Sequence, residues 1–164
     1  MTTSASHSAE SDRRAAGPWT IIGAAGILFT VIGAFEVGVL FYPTALGSPE
    51  WEFGTFSALM DTLPLFTLGL GFLCAFALAT DRKVLARLVG TVFILALLVI
   101  LAGALLYATN IPQVLRVGPR SQLQTAIKKA LAKTGIQAVI FPVTYIWLGI
   151  VSWRWSTHGG RPLA

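Results

Sequence analysis

Four stretches of this chain stay apolar for long enough to cross a lipid bilayer, and that limits its folding more than anything else in the sequence. A helix needs about 20 mostly apolar residues to span the hydrocarbon core. The first stretch runs from Trp19 to Tyr42 and is closed by Pro43. The others cover about Thr62–Ala79, Leu85–Tyr107 and Ile136–Trp153. The blocks are continuous rather than alternating, so they read as helices and not as the strands of a barrel. The 164 residues are 55% hydrophobic and only 12% charged, about half the charge of a soluble domain. The expected fold is an all-α membrane protein with four transmembrane helices and a short amphipathic outer helix before the fourth.

Around the membrane domain of residues 19–155, the segments 1–18 and 156–164 read as cytoplasmic tails, the first of them polar and disordered. Orientation follows from Lys and Arg, which are retained on the cytoplasmic side. With the N-terminus inside, Arg13, Arg14, Arg82, Lys83, Arg87, Arg154 and Arg161 are internal. Arg116, Arg120, Lys128, Lys129 and Lys133 are external, all in the third loop. The first loop has none, so the short connections favour both termini in the cytoplasm. The membrane is then a bacterial inner membrane or an intracytoplasmic, thylakoid-type one. The net charge of +5 lies beside the apolar blocks, where it meets lipid head groups rather than nucleic acid.

Within the third loop, Leu123, Ile127, Ala130 and Leu131 recur at helical spacing, with Gln122, Gln124, Lys128, Lys129 and Lys133 largely opposite. This pattern suits an amphipathic helix in the outer interface, or a polar extension of the fourth span. Small residues recur every four positions as Gly26, Thr30, Ala34 and Gly38 in the first span, and as Thr67, Gly71, Ala75 and Ala79 in the second. Such stripes let helix backbones approach closely, and each is the simplest partner for the other. The third span, rich in Leu, Val and Ile, is expected to face lipid, and Pro142 to bend the fourth.

Little here points to chemistry. The lone Cys74 cannot form an intrachain disulfide, and His7 and His158 lie in the tails. No metal, cofactor or nucleophile motif is present, so the chain is read as non-enzymatic and without a cofactor. Glu36 is the one acidic or basic residue well inside a span, about 7 Å to the outer side of its middle at 1.5 Å per residue. An intramembrane carboxyl group is a functional candidate. As a structural group it would be buried and bonded by Thr67 or Thr62. Asp61, three residues before Pro64, is placed as the cap of the second helix.

The segment Ser48-Pro49-Glu50-Trp51-Glu52-Phe53, followed by Pro64-Leu65-Phe66-Thr67-Leu68-Gly69-Leu70, resembles the HpsJ-type four-span proteins associated with hormogonium polysaccharide secretion in cyanobacteria. Ser121 to Lys133 is similar to the Gln-rich outer segment of that family. The resemblance implies an accessory membrane protein. The function expected is therefore a non-catalytic accessory or structural subunit of a larger membrane complex, whose partners are the bilayer and other membrane subunits. The alternative is a small homodimeric transporter using Glu36. The orientation is directly testable in a variant lacking Cys74. Single cysteines at Ser48 or Ser121 should react with an impermeant thiol reagent from outside intact cells, and one at Thr80 should not; the reverse pattern inverts the topology.

Overall fold

The computed structural model describes the backbone of residues 4–45, 47–116 and 121–158, with side chains over the same ranges except at 4–16, 49, 114–116, 121–124, 126 and 158. Four helices make up nearly all of it: α1 (Ser4–Leu40), α2 (Pro49–Ala79), α3 (Lys83–Arg116) and α4 (Ser121–His158). Each contains a segment long and apolar enough to cross a membrane: Gly17–Leu40, Glu50–Ala79, Lys83–Gln113 and Ile127–Thr157. Successive helices alternate in direction. The start of α1 and the end of α4 therefore fall at one end of the bundle, called proximal below; the other end is distal.

The helices are longer than the apolar blocks. At 1.5 Å per residue, the 31 residues of α2 extend about 46 Å, beyond a hydrocarbon core of about 30 Å. Of the two forms expected for the amphipathic segment, the separate outer helix is not present and the extension of the fourth span is: the segment is the first part of a continuous α4, which begins at Ser121 and carries Pro142 inside it. At the other terminus α1 already begins at Ser4, inside the segment read as a disordered tail; Ala5, Ala9, Ala15 and Ala16 supply helix propensity there. Of the expected C-terminal tail, 156–158 continue α4 and 159–164 lie outside the described residues.

The hub of the bundle is α2, which packs against α1, α3 and α4, whereas α1 packs against α2 alone among the described residues. The α1–α2 seam is built on glycine. A Cβ added at Gly23 would meet the Phe76 ring at 3.0 Å, one at Gly26 the Leu73 backbone at 2.9 Å, and one at Gly33 the Phe66 Cα at 2.9 Å. From the other side, a Cβ at Gly69 would run into the backbone of Thr30. As the α1 position rises from 26 to 33 its α2 partner falls from 73 to 66, the mark of two antiparallel helices held in one register.

The seam therefore uses Gly23, Gly26, Thr30 and Gly33 against Phe66, Gly69, Leu73 and Phe76, a repeat alternating three and four residues. The expected stripes were spaced strictly by four. At 100° per residue a four-residue step drifts by 40°, so such a stripe turns off the partner within a few steps. Gly26 and Thr30 lie in the seam, but a Cβ at Gly38 or Gly71 would meet nothing within 4 Å. Ala34 borders a groove towards α3, and Thr67 bonds to α4. The three-four alternation is that of left-handed coiled coils, with glycine setting the close approach.

The core lies on the opposite side of α2. Phe56, Leu59, Met60, Leu63 and Leu70 pack with Val89, Phe93 and Ile100 of α3 and Tyr145 of α4. The smooth third span is thus held on two sides, and it is α1 that stands at the edge. Its outer face exposes Ile21, Ile27, Val31, Phe35 and Val39. Two variants separate the observed seam from the expected one. Gly69→Ala should destabilise the protein in detergent micelles by about 1–3 kcal/mol through overpacking. Gly71→Ala should leave the thermal unfolding midpoint within a degree or two.

Candidate functional site

The distal third of the bundle gathers most of the polar side chains, and its shape begins at the sequence Ser48-Pro49-Glu50-Trp51-Glu52. Ser48 is the N-cap of α2, its Oγ accepting from the Trp51 backbone N–H at 3.3 Å. A proline suits the first turn, where no helical partner waits for its missing N–H, and Glu50 and Glu52 meet the positive helix end. The helix accordingly starts at Pro49, twelve residues before Asp61. Asp61 is not a cap; it lies inside α2 and accepts from Lys133 Nζ at 2.6 Å, both side chains about half exposed. Glu52 accepts the Gly47 backbone N–H at 2.9 Å with one oxygen and the Asn110 amide with the other. It thereby ties the first loop and the start of α2 to the distal part of α3.

Because α2 continues past Asp61, Pro64 sits in its interior. A proline there supplies no N–H to the carbonyl four residues earlier, which is that of Met60. Gln137 of α4 takes the vacant place, donating from Nε2 to the Met60 carbonyl at 3.3 Å. One turn away, Ser57 and Thr134 share a hydroxyl bond of 3.1 Å. The Tyr107 ring fills the space between these helices, stacked on Phe53 at 4.7 Å between centroids and tilted on Phe56 at 5.1 Å.

Deeper in the bundle the pattern continues. Thr67 bonds to the Tyr145 hydroxyl at 2.7 Å, and Cys74 Sγ lies 3.1 Å from Ser152 Oγ. Along Ser57–Thr134, Thr67–Tyr145 and Cys74–Ser152 both numbers rise together, so α2 and α4 run parallel. Met60, Thr67 and Cys74 are spaced by sevens, the period that keeps one face of a helix towards a supercoiled neighbour. This ladder of polar rungs was missed in the sequence, although three of its members recur on the α2 heptad.

The ion pair Asp61–Lys133 marks a depth. Lys133 and Arg154 are separated by 21 residues of α4, about 32 Å, so a hydrocarbon slab of about 30 Å fits between the ion pair and the proximal arginines. Glu36 stands opposite Leu63 in the α1–α2 register, only about 3 Å from the level of Asp61. Its side chain is exposed on the outside of the bundle. The two hydroxyls expected to bind it are engaged elsewhere, Thr67 with Tyr145 and Thr62 with the Leu59 carbonyl at 2.9 Å. Only as a structural group was Glu36 expected against α2; the seam, drifting less than a four-residue stripe, leaves it on the outer flank of α1. Of the expected packing residues, Ala75 is half-buried and Ala79 is exposed at the end of α2.

No family model, curated protein or solved structure matches this chain. The link between Pro64 and Gln137 can be tested as a pair. Gln137→Leu should cost about 1–3 kcal/mol by leaving the buried Met60 carbonyl without a donor. In a Pro64→Ala background, which restores a helical N–H, the same change should cost clearly less. Equal costs in both backgrounds, measured by reversible unfolding in micelles, would refute the link.

Proposed function

We propose that this chain is a non-catalytic accessory or structural subunit of a larger membrane assembly, set in a bacterial inner or thylakoid-type membrane with both termini in the cytoplasm. The observation that carries the reading is how the polar groups of the bundle are used. Thr67, Tyr145, Cys74, Ser152 and Gln137 bond across helices to protein partners, which stabilises the bundle where water is absent. Groups used in this way hold helices together; they do not line a path for a substrate. The edge position of α1 supports the same reading, since one helix attached along one seam leaves a broad face for a neighbouring subunit. The resemblance to HpsJ-type proteins points in the same direction.

A second reading is the small homodimeric transporter. It is favoured by the exposure of Glu36 on the unshared side of α1, because a dimer formed through α1 would bring two such carboxyl groups to its seam. The two readings predict different behaviour in mild detergent. The accessory subunit should co-purify with another membrane polypeptide in constant ratio, and a photocrosslinker at Phe35 or Val39 should capture it. Glu36→Gln should leave that association intact. Purification as a bare dimer, with Glu36→Gln removing transport from a normally assembled protein, would establish the transporter instead.

A further inference from the structure

The proximal halves of α3 and α4 enclose a groove of about 490 Å³. Ile94 and Leu97 form one wall, Ile146 and Ile150 the other, and Gly149 the floor. Ile94, Ile146 and Ile150 are each about half exposed, so the groove opens sideways. It runs towards the proximal end and stops at Trp153 and Arg154. Among the described side chains, two cations stand at that mouth. Arg154 follows Ile150 by four residues and lies on the same flank of α4. Arg87 precedes Ile94 by seven, two helical turns, and so lies on the same face of α3. Gly90 is beside Ser152 and Gly149 in the antiparallel α3–α4 pairing, which brings Arg87 to within about a turn of the level of Arg154. Both arginines are exposed.

An apolar trough of this kind suits a hydrocarbon chain, and its mouth suits an anion. Among the described side chains at the proximal end, Arg82, Lys83 and Arg87 outnumber the one acid, Asp81, and Arg154 lines the mouth itself. Basic pockets between helices near a membrane surface favour acidic head groups, and the interfacial Trp153 sits where a glycerol backbone would lie. We propose that this groove binds one anionic phospholipid, with an acyl chain between Ile94 and Ile146 and its phosphate between Arg87 and Arg154. The tail distinguishes a lipid from free phosphate, because the apolar walls give a soluble anion nothing to bury. This inference requires only that the chain lies in a bilayer, and not that it is an accessory subunit.

The test uses the full chain, delipidated in maltoside micelles and titrated with dioleoyl phosphatidylglycerol or dioleoyl phosphatidylcholine, with bound copies counted by native mass spectrometry. The expected result is one tightly held phosphatidylglycerol and about a tenfold preference over phosphatidylcholine, consistent with two nearby cations. The double change Arg87→Gln and Arg154→Gln should abolish the preference while phosphatidylcholine still binds. Ile146→Trp, which fills the trough, should weaken both lipids at least fivefold, and Arg82→Gln should change neither. Should Ile146→Trp fail to fold, the arginine pair, exposed on the surface, decides the matter alone. Equal binding of the two lipids by the unaltered chain would overturn the proposal. So would a preference that survives the double change, or displacement of the lipid by millimolar glycerophosphate.

Discussion

Inside a hydrocarbon layer a polar side chain can bond only to other protein groups, and in this chain that condition fastens α4 to α2. The two helices are not neighbours in sequence and share a narrower contact than the other pairs, yet they carry the rungs Ser57–Thr134, Gln137–Met60, Thr67–Tyr145 and Cys74–Ser152. The apolar packing of α3 against both, with Phe93 set against Tyr145 of α4 at 5.3 Å and the core residues of α2 beside it, closes a three-helix core. The fourth helix, α1, is added to that core from one side through a glycine seam. Its attachment depends on shape, with no room for a side chain at Gly69.

The proline in α2 shows how the same condition acts on the backbone. Pro64 removes a helical hydrogen bond, and the carbonyl that loses its donor is close to the only amide side chain of the core region of α4, Gln137. The pairing lies just below the ion pair of Asp61 and Lys133. Together these contacts fix the axial position of α4 against α2, since a shift of α4 by one residue would break all the rungs at once. The distal cluster of Glu52, Asn110 and the Phe53–Tyr107 stack extends that fixed core beyond the hydrocarbon level.

The number and character of the helices were legible in the sequence, because blocks such as Leu85–Tyr107 have no other way to hide their surface. Their true lengths were less so. The start of α2 at Pro49 is written in the cap Ser48 and in Glu50 and Glu52, but Asp61 before Pro64 offers a competing start of the same chemistry. The packing faces were legible only in part. Gly26 and Thr30 fall on the seam under either period, whereas Gly71 and Gly38 separate a four-residue spacing from the alternating one. Glu36 was the hardest to place. A helix presents every residue to some side, and which side faces a neighbour depends on a register that only Gly33 against Phe66 and Gly69 against Thr30 determine.

Polar groups at membrane depth hold α2 and α4 together, and the rung Thr67–Tyr145 is the deepest hydroxyl pair between them. A double-mutant cycle with Thr67→Val and Tyr145→Phe, followed by reversible unfolding in micelles, measures that role directly. Each change should destabilise the protein, and the two should be coupled by about 0.5–1.7 kcal/mol, the range found for hydrogen bonds between membrane helices. Additivity of the two changes to within about 0.3 kcal/mol would contradict that role.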